Sequence, residues 1–303
     1  MGIANFNELE KKLIDSKRKF RVAVANAGDS HSIEAIMLAV DKGFAEPVLV
    51  GDKDAIVKIL GEMGRTVPEE NIYDCPDVAE AVAKAVELVR EGKADFLMKG
   101  KLDTSALLKG VVKSGTGLND GNLMSALFIA AIPGCHKLVA VVDGGMLTYP
   151  SLEQKKALIN NTVHAFHCLG CENPKVGVLA CIEKVNPKMP ETVEAAELKR
   201  MNEEGEITGC FVEGPISYDC AMSPASAKEK NFNSPAAGDC DILIAPNIHA
   251  ANILSKALTV TCKAESAGCI IGARCPVVIS SRGSSPEEKC NSIMLAAAVV
   301  LGE

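Results

Sequence analysis

The sequence predicts an α/β protein of two domains built on mixed or parallel sheets. Three observations predict it. Short apolar runs alternate with amphipathic helical patterns along the chain. Several of those runs, such as Val-Gly-Val-Leu-Ala-Cys-Ile from Val176, are apolar without interruption, as in strands buried on both faces. The chain is 303 residues long, and single cores stop growing at ~250–300 residues.

The expected strands are Arg21–Ala25, Pro47–Val50, Asp95–Met98, Lys137–Val142, Lys175–Cys181, Ile207–Val212, Asp241–Ala245 and Pro276–Ser280. The clearest helix follows Asp77, where Val78, Val82, Val86 and Val89 share a face, Glu80 completes a capping box and Gly92 supplies a stop. A tight crossing near Pro133-Gly134 sets the first domain as 1–132 plus 270–303 and the second as 133–269.

Composition narrows the function. Aromatic residues make up only 4% of the chain against 48% hydrophobic overall, which suits alanine- and valine-rich strands and helices. A formal charge of −7 excludes a general nucleic-acid binder, because neutralising phosphates needs a basic surface. No apolar run reaches the ~18–20 residues of a membrane span, so no membrane partner is expected. The start, Met1 to Arg21, is charged and lacks a secretory core, which predicts a cytoplasmic protein. Twelve cysteines in such a chain read as reduced thiols, with Cys181 and Cys210 as small hydrophobes in strands.

The loops after the strands carry the polar chemistry. They include Val-Ala-Asn-Ala-Gly-Asp (to Asp29), Met-Lys-Gly-Lys-Leu-Asp-Thr (to Thr104), Val-Asp-Gly-Gly-Met (Asp143) and Ile-Ser-Ser-Arg-Gly-Ser-Ser (to Ser285). Open α/β sheets bind ligands beyond the carboxyl ends of their strands, where such loops gather. The last loop is the sharpest signal. It opens a helix at Pro286 that runs through Ile293, Met294, Ala297 and Val300, so free N–H groups and the helix dipole favour an anion. Arg282 adds a bidentate fork for phosphate or an oxyanion. Glu288 has two readings: a functional acid, or the partner of Ser285 in a capping box.

Other motifs lead nowhere. Gly115-Thr-Gly117-Leu-Asn-Asp-Gly121 has the wrong spacing for a dinucleotide fingerprint and follows a helical pattern, Thr104 to Lys113, though it can line a ligand cleft. His164, His167, Cys168 and Cys171 are not expected to bind metal, because Cys168 should point away from the histidines. The Cys168–Cys171 pair closes a helix instead of opening one, which argues against redox chemistry.

The ordered set of segments resembles a known family. Asp95-Phe-Leu-Met-Lys-Gly-Lys-Leu-Asp-Thr104, Val142-Asp-Gly-Gly-Met-Leu-Thr-Tyr-Pro-Ser-Leu-Glu-Gln-Lys155, Val185-Asn-Pro-Lys-Met-Pro-Glu-Thr192, Glu213-Gly-Pro-Ile-Ser-Tyr-Asp219, Ala245-Pro-Asn-Ile-His-Ala-Ala-Asn252 and Ser280-Ser-Arg-Gly283 look like the phosphate butyryltransferase branch of the phosphate acetyl/butyryltransferase family. The similarity covers nearly the whole chain in order. It implies an isocitrate/isopropylmalate dehydrogenase-like fold, an active site in an interdomain cleft and a homodimer. It assigns catalysis to Ser281, Arg282 and Glu288, with Glu288 where the family commonly has aspartate. Substrate-binding positions implied with it are Lys99, Gly100, Thr104, Gly121, Ser125, Asp143, Asn252 and Lys256. Two departures accompany the match. The family's Gly-Leu-Arg-Thr-Gly-Arg appears as Gly117-Leu-Asn119-Asp120-Gly121-Asn122, which replaces two arginines, and Asn-x-x-Tyr-Lys appears as Asn252-Ile-Leu-Ser255-Lys256.

The implied reaction moves a short acyl group between coenzyme A and inorganic phosphate, with no metal and no tightly bound cofactor; coenzyme A is a substrate. Two alternatives stand beside it. The chain could be a degenerate protein that binds coenzyme A or acyl phosphate without turnover, or a decarboxylating dehydrogenase of the same fold, for which the aspartate and arginine sets are not found.

Overall fold

The computed structural model describes residues 3–280 and 283–303. Its strands are β1 (Phe20–Ala25), β2 (Ala45–Gly51), β3 (Ile72–Asp74), β4 (Phe96–Lys99), β5 (Ser125–Ala131), β6 (Val139–Val142), β7 (Lys175–Leu179), β8 (Phe211–Ile216), β9 (Ile242–Ile244), β10 (Glu265–Ile271) and β11 (Val277–Val278). Helices alternate with them, as the periodicity predicts. Contacts divide the chain into an amino-terminal unit, mainly Phe6–Asn122 with Ala267–Leu301, and a central unit, mainly Leu123–Ser266. The chain thus changes unit at 122/123, ten residues before the crossing read from Pro133-Gly134. The turn at Gly134 instead links β5 to β6 inside the central unit, where the two strands pair antiparallel.

In the amino-terminal unit the strand order is β3-β2-β1-β4-β11-β10. All its pairs are parallel except β10 with β11. Phe20, Phe96, Leu49 and Leu97 are fully buried, since helices cover both faces of these strands and leave no place for polar alternation. Helix starts are fixed by side chains that accept otherwise orphaned N–H groups: Asp29 from Ser32, Asp52 from Ala55 and Asp77 from Ala79 and Glu80. The helix Val78–Arg90 buries Ala81, Val82, Ala85 and Val86, whereas its first residue, Val78, is exposed.

The central unit has the order β5-β6-β9-β7-β8, with β6, β9, β7 and β8 parallel. Val139, Val141, Leu179, Ile216 and Leu243 form its core. The strand read over Ile207–Val212 is displaced to Phe211–Ile216 and runs through Pro215. Proline is tolerated because β8 is an edge strand in this unit. The long helix Leu152–Leu169 starts at a Ser151–Gln154 capping box and ends at Gly170 with φ of 97°, a left-handed turn that glycine adopts without strain.

Two side-chain expectations are corrected. Cys168 does not point away from the histidines: its Sγ lies 3.8 Å from His164 Nε2, because residues four apart share a helix face. Cys181 is exposed, since β7 ends at Leu179. No helix among the described residues is long and apolar enough to cross a membrane.

Candidate functional site

The register of β1 on β4 pairs Ala25 with Lys99 and brings the two following loops side by side. They lock through the backbone: Gly100 N donates to Ala25 O at 2.9 Å and Lys101 N to Asn26 O at 2.8 Å. Asn26 Nδ2 returns a bond to Lys101 O at 2.5 Å. Glycine is needed at position 100, because a Cβ there would stand 2.3 Å from Asn26 O and 2.7 Å from Ala25 O.

Beyond these strand ends lies a cavity of about 620 Å³, lined by Asp29, His31, Ser32, Val78, Lys99, Gly100, Lys101, Leu102, Asp103, Ala106, Ser280 and Lys289. Its walls are the ends of β1, β4 and β11 and the amino ends of the helices Ser30–Asp41, Val78–Arg90 and Thr104–Val111. The positive dipole ends of these helices favour an anion there, although Asp29 and Asp77 already accept N–H groups at the first two. Lys99 is 9% exposed and donates to Leu102 O at 2.8 Å, so its ammonium also shapes the loop. Lys289, 6% exposed, enters from the helix Pro286–Gly302.

The predicted site residues thus separate into groups. Lys99 and Gly100 line the cavity, and Thr104 opens the helix whose N-cap, Asp103, lines it. Ser281 and Arg282 lie outside the described residues; Ser280, which precedes them, is part of the lining. Glu288 forms the reciprocal capping box with Ser285, its Oε2 accepting from Ser285 N at 3.2 Å. Gly121 has φ of 92° in a turn closed by Asn119, whose Oδ1 accepts from Gly121 N. Beside it Asp120 makes two 2.7 Å bonds to Arg274, and that hydrogen bonding holds its carboxyl below the usual range.

Ser125, Asp143, Asn252 and Lys256 belong to the central unit. Ser125 is fully buried, its hydroxyl accepting from Asn161 Nδ2 at 3.1 Å. Asp143 is 2% exposed and accepts from Gly145 N and Met146 N at 2.8 and 2.9 Å. Burial outweighs those bonds and pushes its carboxyl above the ordinary value. Asn252 Nδ2 donates to Gly144 O at 3.1 Å, and Lys256 is an exposed residue at the end of the helix Ile248–Lys256.

Sequence reasoning missed one cluster. Glu183, Asp219 and Cys220 come close enough to offer metal ligands, the one such group among the described residues. A cation already sits among them: Lys230 Nζ is 2.9 Å from Glu183 and 2.9 Å from Asp219. Hydrogen bonds from Ser217 and Lys230 lower Asp219 to about 2. The group is a salt-bridge network between loops, and its only sequence signal was their common position after strands.

Sequence relatives agree with this architecture. The family model described as phosphate acetyl/butaryl transferase matches residues 75–297. The phosphate butyryltransferase of Clostridium acetobutylicum is 41% identical over 297 residues, covering 98% of both chains. The phosphate acetyltransferase of Thermotoga maritima is 45% identical over 277 residues, covering 91% of this chain and 94% of that one. Among solved structures, a branched-chain phosphotransacylase from Enterococcus faecalis superposes with a TM-score of 0.81 at 28% identity, covering 93% of this chain and 99% of that one. The fold is therefore that of an α/β acyltransferase. The chain belongs to the phosphate acetyl/butyryl transferase family.

Proposed function

We propose that this protein transfers a short acyl group between coenzyme A and inorganic phosphate at the cavity of the amino-terminal unit. The observation that carries this reading is the cavity's make-up. Lysines and helix amino ends meet there beyond the carboxyl ends of parallel strands, and the lining runs to Ser280, next to Ser281 and Arg282. A site of that kind holds phosphate, and phosphate is one of the two acyl carriers in the reaction.

The chemistry asked of the residues is modest. A free thiol has a pKa of ~8.5, so coenzyme A needs a base near neutrality. Glu288 takes that proton and the thiolate attacks the acyl phosphate carbonyl. Ser281 donates to the carbonyl oxygen as negative charge develops, and Arg282 neutralises the departing phosphate. In reverse, phosphate attacks the thioester and Glu288 returns the proton to the leaving thiolate. The exchange trades one activated acyl group for another, so no metal or tightly bound cofactor takes part.

The remaining assignments rest on the same family relationship. They are binding roles for Gly121, Ser125, Asp143, Asn252 and Lys256, a homodimer working in the cytoplasm, and an isocitrate/isopropylmalate dehydrogenase-like pair of domains. Arg282→Ala tests the mechanism. Losing one electrostatic donor of this kind costs ~10²–10³ in turnover, read as thiol released from butyryl-coenzyme A when phosphate is added. Unchanged turnover removes Arg282 from the mechanism, and tight coenzyme A binding without turnover in the parent protein selects the non-catalytic binder.

A further inference from the structure

Lys289 is a buried cation that no partner explains. It is 6% exposed, yet among the described residues no carboxylate or carbonyl meets its ammonium, and it lines the 620 Å³ cavity. The other buried lysines are matched: Lys155 pairs with Glu194, and Lys99 with the Leu102 carbonyl. Most of its side chain is packed away while the Nζ stays open to the cavity, so the ammonium is free to meet an anion that enters there.

The surroundings decide what that anion is. The cavity's charged lining is three lysines, Lys99, Lys101 and Lys289, against two aspartates, Asp29 and Asp103. Both aspartates stand at N-cap positions; Asp29 Oδ1 accepts from Ser32 N at 2.9 Å while its Oδ2 is buried without a hydrogen-bond partner, and Asp103 makes no side-chain cap bond. Helix amino ends add further positive potential. We propose that Lys289 is a substrate-binding residue that holds a phosphate group in this cavity. The assignment deepens the acyl-transfer reading and rests on it for the source of the phosphate: inorganic phosphate, or a phosphate of coenzyme A.

The test compares Lys289→Met and Lys289→Arg with the parent protein. A charge-assisted hydrogen bond contributes ~1.5–3 kcal/mol, so Lys289→Met should raise the KM for its phosphate ligand roughly 10–100-fold, and Lys289→Arg should restore much of it. A rise in the KM for inorganic phosphate assigns the site to that substrate. A rise confined to butyryl-coenzyme A, and absent with the dephospho-coenzyme A thioester, assigns it to the 3′-phosphate of coenzyme A. No rise in either KM in a folded Lys289→Met protein overturns the proposal. Thermal melting supplies a readout independent of turnover. Inorganic phosphate should raise the Tm of the parent more than that of Lys289→Met, while general salt effects move both alike. If the parent shows no acyl transfer, the acyl-transfer reading fails. Lys289 then stands or falls on the melting comparison with phosphate and coenzyme A, equal shifts in parent and variant overturning it.

Discussion

Replacing Gly100 by alanine probes how the cavity is held. The added Cβ would sit 2.3 Å from Asn26 O, 2.7 Å from Ala25 O and 2.8 Å from the Asn26 carbonyl carbon. All three are backbone atoms, so no side chain can swing away. The β1 and β4 loops must separate by more than an ångström to reach ordinary contact. That motion stretches the Gly100–Ala25 and Lys101–Asn26 hydrogen bonds at 2.9 and 2.8 Å. Overpacking costs ~1–3 kcal/mol and each weakened bond up to ~1 kcal/mol, which together predict a loss of about 2–4 kcal/mol. At roughly 2 °C per kcal/mol for a chain of this size, the Tm should fall by about 4–8 °C. Lys99 and Lys101 flank the substitution, so affinity for phosphate should fall with it. Differential scanning calorimetry measures the first effect and phosphate KM the second. A Gly100→Ala protein that melts with the parent and keeps its phosphate KM would refute the close-approach argument.

Three further outcomes follow from the geometry. Glu288→Gln keeps an acceptor for the Ser285 cap, so Tm should hold while turnover falls ~10²–10⁴-fold; equal losses in both would make Glu288 only a cap. Asp143 has a raised pKa in the folded state, so its contribution to stability is full below the unfolded value of ~3.9 and is lost as pH rises through the folded value. Asp143→Asn should therefore gain stability relative to the parent as pH rises from 4 toward 7, measured as the difference in Tm; a constant difference contradicts the assignment. Cys181 and Cys262 are exposed, whereas burial pushes Cys240, Cys269 and Cys275 up to about 12. Thiol reagents should modify the first pair quickly and the buried three only on unfolding, as peptide mass mapping will report.

The sequence made most of the parallel strands legible, though not the short β3, and left the antiparallel β5 and β10 obscure. β1 and β7 announce themselves by valine-bearing runs and β4 by Phe-Leu-Met. β5, Ser-Ala-Leu-Phe-Ile-Ala-Ala, is as apolar but alanine-rich, and periodicity cannot separate such a run from a buried helix. β10 carries glutamate, serine and glycine, which dilute the pattern. β8 was displaced because Gly214-Pro215 reads as a break until the edge position is known. At the site, the loop after β4 could be read because Lys99, Gly100 and Thr104 stand together. Lys289 could not, since a lysine after two glutamates looks like a solvated helix surface. Its only trace was spacing: Lys289, Ile293 and Ala297 recur every four residues, which puts the lysine on the buried face. Asp29 and Asp103 were hidden by their ordinary role as N-caps.

The central claim is acyl exchange between coenzyme A and phosphate at this cavity. Thiol release by the purified protein, followed with acetyl-, propionyl-, butyryl- and branched acyl-coenzyme A in the presence and absence of inorganic phosphate, tests it most directly. Release from at least one of these thioesters should depend on phosphate and saturate with it. Release that is absent for every thioester, or that proceeds equally without phosphate, would contradict it.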